Sequence, residues 1–213
     1  YDNLQPPEAE AVEALAADIE RQPERLLWVC GSTHEGEEAE LIEVYKELTI
    51  RHRRLDLLIA PRYIERAPRI AELASQAGLP CARRSENQGA IGGVTILDRI
   101  GELMPAYALA DVVFVGGSFI PRGGQNILEP AACGKPVLFG PFMDNFSDEV
   151  ALLVGRGGIQ VSDRSALLET IDQLLFRRGA CVEVGDLARS SVTARAGAGV
   201  RCAEQILGLM EGV

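Results

Sequence analysis

The sequence predicts an α/β fold built on a parallel sheet, and three observations carry that reading. Short apolar runs alternate with longer stretches of helical periodicity; glycine-rich segments stand where several apolar runs end; and 47% apolar against 24% charged residues is enough to fill a core on both faces of a sheet. At 213 residues the chain is one large domain or two small ones.

The elements follow in order. Glu8 to Arg21 places Ala11, Leu15 and Ile19 at helical spacing and leads to the apolar run Leu26 to Cys30, a strand. The same pairing recurs as a helix around Glu37 to Thr49 with a strand Leu55 to Ala60, then a helix around Ile64 to Ala77 with strands Pro80 to Arg84 and Val94 to Leu97. A helix Leu103 to Ala110 precedes strand Asp111 to Val115, a helix Gln125 to Cys133 precedes strand Pro136 to Phe139, and a helix Phe146 to Val154 precedes strand Gly158 to Val161. Helices Arg164 to Phe176 and Gly197 to Met210 close the chain, and Leu207, Leu209 and Met210 pack either on their own sheet or on a neighbouring domain. Such alternation implies right-handed βαβ crossovers, so we predict a single Rossmann-like, doubly wound parallel sheet spanning residues 1–213, with ligands at the carboxyl ends of its strands.

Composition removes several functions. The net charge of −10 argues against broad binding to nucleic acid or to an anionic lipid surface, so any anion must be held locally. No apolar run approaches the roughly 18 residues that a membrane-crossing helix needs. The five cysteines are dispersed without a Cys-x-x-Cys pair, which predicts reduced core residues and a cytosolic setting rather than a zinc site or a disulfide framework. His34 and His52 are the only histidines and lack ligand spacing, so no metal site is expected. The first residue is Tyr1 rather than Met, which leaves room for an upstream segment.

The densest signal is Gly116-Gly-Ser-Phe-Ile-Pro-Arg-Gly-Gly-Gln-Asn-Ile-Leu-Glu-Pro130. A strand ends in one glycine pair, Gly116 and Gly117, followed by Ser118; a second pair, Gly123 and Gly124, opens the expected helix. The N–H groups of Gly124, Gln125 and Asn126 would then point from a helix start toward a phosphate, and Glu129, one turn further, would grip two ribose hydroxyls. Arg62, after Pro61, projects from another carboxyl-terminal loop and suits a phosphate, whereas Arg66 and Arg69 read as solvated. In Gly31-Ser-Thr-His34, Ser32 pairs with Glu35 as a capping box, and Ser32 and Thr33 also stand within reach of a ligand. The acidic cluster Glu35, Glu37 and Glu38 opposes phosphate at this loop and favours the later glycine loop. Gly101, Glu102 and Leu103 form a turn that either reads a base edge with its backbone or simply starts a helix; Gly140 to Asn145 either lines a sugar pocket or only turns the chain. Neither a Gly-x-Gly-x-x-Gly nor a P-loop is present, which disfavours NAD and ATP.

Taken together, Gly31-Ser-Thr-His-Glu-Gly-Glu-Glu38, Pro61-Arg62, Gly101-Glu-Leu103, Gly116-Gly-Ser118, Gly123-Gly-Gln-Asn-Ile-Leu-Glu-Pro130 and Gly140-Pro141 resemble the carboxyl-terminal half of 3-deoxy-D-manno-octulosonic acid (Kdo) transferases, glycosyltransferases of GT-B architecture. The resemblance covers about residues 1 to 160, and departs from the family's usual His at Gln125 and at Tyr63. It implies the donor CMP-Kdo, a lipid A precursor as acceptor, and an inverting displacement with no cofactor. Residues 1–7 would be the linker from an amino-terminal domain that carries the catalytic base and the contact with the cytoplasmic face of the inner membrane, leaving no catalytic base in this chain. The resemblance assigns Arg62, Arg122, Gly123, Gly124, Gln125 and Asn126 to the phosphate, and Ser32, Thr33, Pro61, Gly101, Glu102, Leu103, Gly117, Ser118 and Glu129 to the nucleotide. The other readings are a GT-B half that uses a UDP- or GDP-sugar and a stand-alone nucleotide-binding module.

Overall fold

A computed structural model of the chain describes residues 4–86, 88–177 and 179–195. Seven strands form one parallel sheet in the order β3-β4-β2-β1-β5-β6-β7. They are β1 (Leu26–Thr33), β2 (Leu55–Pro61), β3 (Cys81–Arg83), β4 (Val94–Ile96), β5 (Val112–Val115), β6 (Val137–Phe139) and β7 (Gly158–Gln160). The helices are α1 (Ala9–Asp18), α2 (Glu38–Arg51), α3 (Ala67–Gln76), α4 (Leu103–Leu109), α5 (Leu128–Ala132), α6 (Ser147–Leu153), α7 (Arg164–Phe176) and α8 (Ala180–Thr193).

Strand alternation divides the apolar side chains between two cores. Leu27 and Val29 of β1, Val113 and Val115 of β5, and Val137 and Phe139 of β6 face the layer of α1, α4, α5, α6 and α8. Their neighbours Trp28 and Cys30, Val112 and Phe114, and Leu138 face the layer that contains α2, α3 and α7. The central strands are therefore apolar at consecutive positions, as a strand buried on both faces must be.

Chain direction across the sheet reverses between β1 and β5, so a crevice opens beyond their carboxyl ends. Two local features shape it. The β1–β2 register slips between Gly31 and Thr33, and the inserted Ser32 adopts φ 55, a left-handed conformation that costs a non-glycine residue about 1–2 kcal/mol. Gly31 admits no side chain, because a Cβ there would run into the Tyr107 ring.

Three expectations are corrected. The helix after β5 starts at Leu128, not at Gln125. Arg84, expected to end a strand, is a buried residue of a short 3₁₀ turn. Helix α8 was not predicted by the periodicity; its first residue follows Gly179, which sits at φ 86, and Gly185 interrupts the helical composition. Gly185 is there for packing, since a Cβ would collide with the Gly134 carbonyl oxygen in the turn after α5. The expected helix Gly197 to Met210 lies outside the described residues.

Gly185→Ala separates local from tertiary control. Helix propensity alone would stabilise α8 by about 1 kcal/mol, whereas overpacking against backbone costs about 1–3 kcal/mol. We expect a net loss of stability in urea unfolding followed by the fluorescence of Trp28, which is fully buried.

Candidate nucleotide-binding site

Five loops meet above the carboxyl ends of the strands, and a single buried carboxylate joins two of them. Glu37, fully buried, accepts the His34 N–H at 2.9 Å and the Gly117 N–H at 2.8 Å on Oε2, and the N–H groups of Ser118 at 3.0 Å and Phe119 at 2.9 Å on Oε1. The loop after β1 is thereby fastened to the loop after β5. The expected capping box of Ser32 with Glu35 does not form; Glu35 is exposed and α2 begins at Glu38. Glu38 is also buried and receives both Nε and Nη2 of Arg66 at 3.0 Å, so Arg66 is a structural partner rather than a solvated charge. Arg69 remains at the surface, paired with Glu72. The acidic cluster consequently presents one exposed carboxylate, Glu35, and not three.

The glycine loop is shaped by contacts within the crevice. The Ser118 hydroxyl donates to the Val115 carbonyl at 2.6 Å and accepts the Gly140 N–H at 2.9 Å, and its side chain is fully buried, so this hydroxyl ties β5 to β6. Gly123 and Gly124 both have φ 80; a Cβ on the first would meet Asn145 and on the second Met143. The Gly124 N–H donates to the Gly117 carbonyl at 2.9 Å, so it does not face a ligand as expected. Asn126 precedes α5: its Oδ1 accepts the Leu128 N–H at 3.0 Å, and its Nδ2 donates to Glu129 Oε1 at 3.1 Å. A helix start at Gln125 is excluded by the paired left-handed glycines and by this side-chain turn. The N–H groups of Gln125 and Asn126 meet no protein acceptor among the described residues, and they remain as donors in the loop itself.

The loops after β2 and β5 each carry an exposed arginine, Arg62 and Arg122. The backbone N–H of Arg62 is held by the Thr33 carbonyl at 2.9 Å, and neither Arg62 nor Arg122 forms an ion pair among the described residues. His34, which the sequence considered only as a metal ligand, is close enough to both for their charges to act on it. Its Nε2 is 3.3 Å from Gln125 Nε2, and its ring meets Tyr63 edge-on at 5.8 Å. Burial holds the His34 pKa below its usual value against the opposing charge of Glu37, with Arg122 acting in the same direction as burial. The neutral form of the ring is thereby favoured, and in that form it can accept a hydrogen bond from the Gln125 amide.

A recess of about 150 Å³ adjoins this cluster, lined in part by Ser32, Pro61, Arg62, Gly101 and Leu103. Thr33, next to Ser32 in the chain, is fully buried and does not line it, and its hydroxyl has no hydrogen-bond partner among the described residues. Glu102 is engaged elsewhere: its Oε1 receives Nη2 of the buried Arg84 at 3.0 Å, and of the Gly101–Leu103 turn it is Gly101 and Leu103 that line the recess. Glu129 is half-buried, and desolvation raises its carboxyl above the usual range while the Asn126 hydrogen bond acts the other way. Among the described residues no group of three His, Cys, Asp or Glu side chains is arranged to hold a metal ion, and no helix is long and apolar enough to cross a membrane.

The sheet order, the crevice at the β1/β5 reversal and the glycine loop define the carboxyl-terminal Rossmann-like domain of a GT-B glycosyltransferase. The chain is similar in sequence to 3-deoxy-D-manno-octulosonic acid transferases. It is 38% identical to that transferase of Bordetella pertussis over 175 residues, 78% of this chain and 41% of the relative. It is 33% identical to that of Haemophilus influenzae over 156 residues, 72% of this chain and 36% of the relative. The chain thus spans about two fifths of the relatives it matches. Among solved structures, the C-terminal CMP-Kdo binding domain of WaaA from Acinetobacter baumannii superposes with a TM-score of 0.79 at 27% identity, covering 87% of this chain and 99% of that one. WaaG, a glycosyltransferase of lipopolysaccharide biosynthesis, shares the fold at 14% identity with a TM-score of 0.61, covering 91% of this chain and 50% of that one. No protein-family model matches the sequence.

The raised Glu129 carboxyl has a signed consequence. A carboxyl whose pKa is raised on folding contributes stability below its unfolded pKa and loses it as pH rises through the folded value. Glu129→Gln should therefore melt higher than the wild-type free chain at neutral pH, with the gap closing toward about pH 4, the ordinary Glu range. Melting temperature measured against pH checks this.

Proposed function

We propose that this chain is the donor-binding half of an inverting glycosyltransferase that takes Kdo from CMP-Kdo and delivers it to a lipid A precursor. The observation that carries this reading is the set of donors without an ion-pair or backbone partner at one end of the crevice: Arg62 and Arg122, whose charges both act on His34, and the open amides of Gln125, His34's side-chain neighbour, and of Asn126, which bonds the half-buried Glu129. The similarity to Kdo transferases and to a CMP-Kdo binding domain points the same way.

In this reading the cytosine enters the recess beside Gly101 to Leu103, where Pro61 and Ser32 form one wall and the backbone supplies the polar contacts. Glu129 holds the ribose hydroxyls, positioned by Asn126. The phosphate lies against Gln125 and Asn126, beside Gly123 and Gly124, and between the arginines; Gly117 and Ser118 act beneath it as scaffold. An acceptor hydroxyl attacks the anomeric carbon of Kdo and gives its proton to a base outside this chain. The bond from that carbon to the phosphate oxygen breaks, and CMP leaves with the electron pair. Charge grows on the phosphate as it departs, so fixed positive groups there stabilise the transition state more than the ground state. CMP-Kdo carries a carboxylate besides its phosphate, and two arginines suit two anions. The chemistry needs no metal. Gln125 and Tyr63, where the family usually has His, both keep hydrogen-bonding groups, so these departures bear on fine substrate tuning more than on donor class. The acceptor, the base and the contact with the cytoplasmic face of the inner membrane belong in this reading to an amino-terminal domain, with residues 1–7 as the linker.

Calorimetric titration of nucleotides into the chain tests the proposal. CMP should bind more tightly than UDP; the reverse order would indicate a diphosphate-sugar donor. Glu129→Ala should weaken CMP binding by about 1.5–3 kcal/mol, the scale of hydrogen bonds to a charged group, and Arg122→Ala should lower CMP-Kdo affinity. Unchanged affinities would overturn those two assignments.

A further inference from the structure

Buried carboxylates are normally placed against a cation, as Glu38 is against Arg66. Glu37 is different: the hydrogen bonds it accepts come from four backbone amides. Three of these, on the consecutive residues Gly117, Ser118 and Phe119, converge at the end of β5 as an anion-binding nest. Gly116 lets the loop after β5 close on the β1 loop, since a Cβ there would stand 2.6 Å from the Thr33 Cα and 2.7 Å from the Ser32 carbonyl oxygen as well as 2.9 Å from Glu37 Oε2. Gly117, at φ 66, supplies the left-handed turn that aims successive amides inward.

We propose that Glu37 is a positioning residue of the donor site: its carboxylate fills this nest as an internal anion, bars the donor phosphate from it, and holds the glycine loop so that Gln125 and Asn126 face Arg62. The link to the second glycine pair is covalent and hydrogen-bonded, through the Gly124 N–H on the Gly117 carbonyl. The link to Arg62 runs through the β1 loop, whose Thr33 carbonyl holds the Arg62 N–H and whose His34 N–H rests on the same Glu37 oxygen as Gly117. Two walls of the crevice thus share one carboxylate. This inference rests on the donor-binding reading above for its consequence, but the filled nest does not.

The test uses the 213-residue chain. Glu37→Gln is isosteric yet turns an N–H₂ group toward amides that need an acceptor, and Glu37→Ala empties the nest. Both should weaken CMP binding at least about tenfold in calorimetry, the scale of one hydrogen bond to a charged group, with the far-ultraviolet circular dichroism retained. Formate should restore CMP affinity and raise the melting temperature of Glu37→Ala more than chloride at equal concentration. A Glu37→Gln chain that melts lower but binds CMP as the wild type does would overturn the positioning role. Should neither variant fold, amide resonances of the wild type decide: CMP should shift Gln125 and Asn126 most, and largest shifts at Gly117, Ser118 and Phe119 would show the phosphate in the nest and overturn the proposal. Should the wild type bind no CMP, the donor-binding reading fails by itself. The filled nest is then judged by the formate-dependent melting of Glu37→Ala, and no difference from chloride overturns it.

Discussion

The crevice depends on one constraint: four backbone N–H groups from two strand ends satisfied by the Glu37 carboxylate. In a doubly wound sheet the loops after β1 and β5 leave opposite sides of the chain reversal, and nothing in the strands themselves fixes one loop against the other. Buried amides without acceptors would cost more than a loop can recover elsewhere. Glu37 satisfies them and, in doing so, determines how far apart the two loops stand. The glycines follow from this. Gly116 admits the β1 loop backbone and the carboxylate side by side, Gly117 turns the chain toward the carboxylate, and Gly140 passes so close to Ser118 that a side chain would strike its carbonyl.

The electrostatics of the molecule have the same local character. A chain of net charge −10 has no general attraction for a nucleotide, and its carboxylates near the crevice would repel one. Most of that repulsion is absorbed inside the fold: Glu37 by amides, Glu38 by Arg66, Glu102 by Arg84. Arg62 and Arg122 are left to face solvent. Glu129, partly desolvated and bonded to Asn126, is the acidic group that meets the crevice as an acceptor.

Much of the fold was legible because a central parallel strand has to be apolar at successive positions, and Leu26 to Cys30, Asp111 to Val115 and Pro136 to Phe139 declare themselves that way. The limits of periodicity showed at glycine. Gln125 to Cys133 has helical composition, yet two left-handed glycines and the Asn126 side chain delay the helix to Leu128. Gly185 concealed α8 because its reason, a close approach to the turn after α5, is tertiary, and Gly179 because it serves a left-handed turn at φ 86. In the site, the residue types bearing phosphate chemistry were readable one at a time, as with Arg62 and Glu129. The partnerships were not: an acidic triplet beside a glycine loop looks repulsive until Glu37 and Glu38 are seen turned inward. His34 was likewise legible only as one of two histidines, since its neighbour Gln125 lies 91 residues away in sequence.

The most direct measurement is a crystal structure of the chain with CMP. The account requires the cytosine beside Gly101 to Leu103, the ribose hydroxyls on Glu129, and the phosphate within hydrogen-bond reach of the Gln125 and Asn126 amides and of Arg62, with Glu37 still bonded to Gly117, Ser118 and Phe119. A phosphate seated on those three amides with Glu37 displaced, or a nucleotide bound away from the β1/β5 crevice, would contradict it.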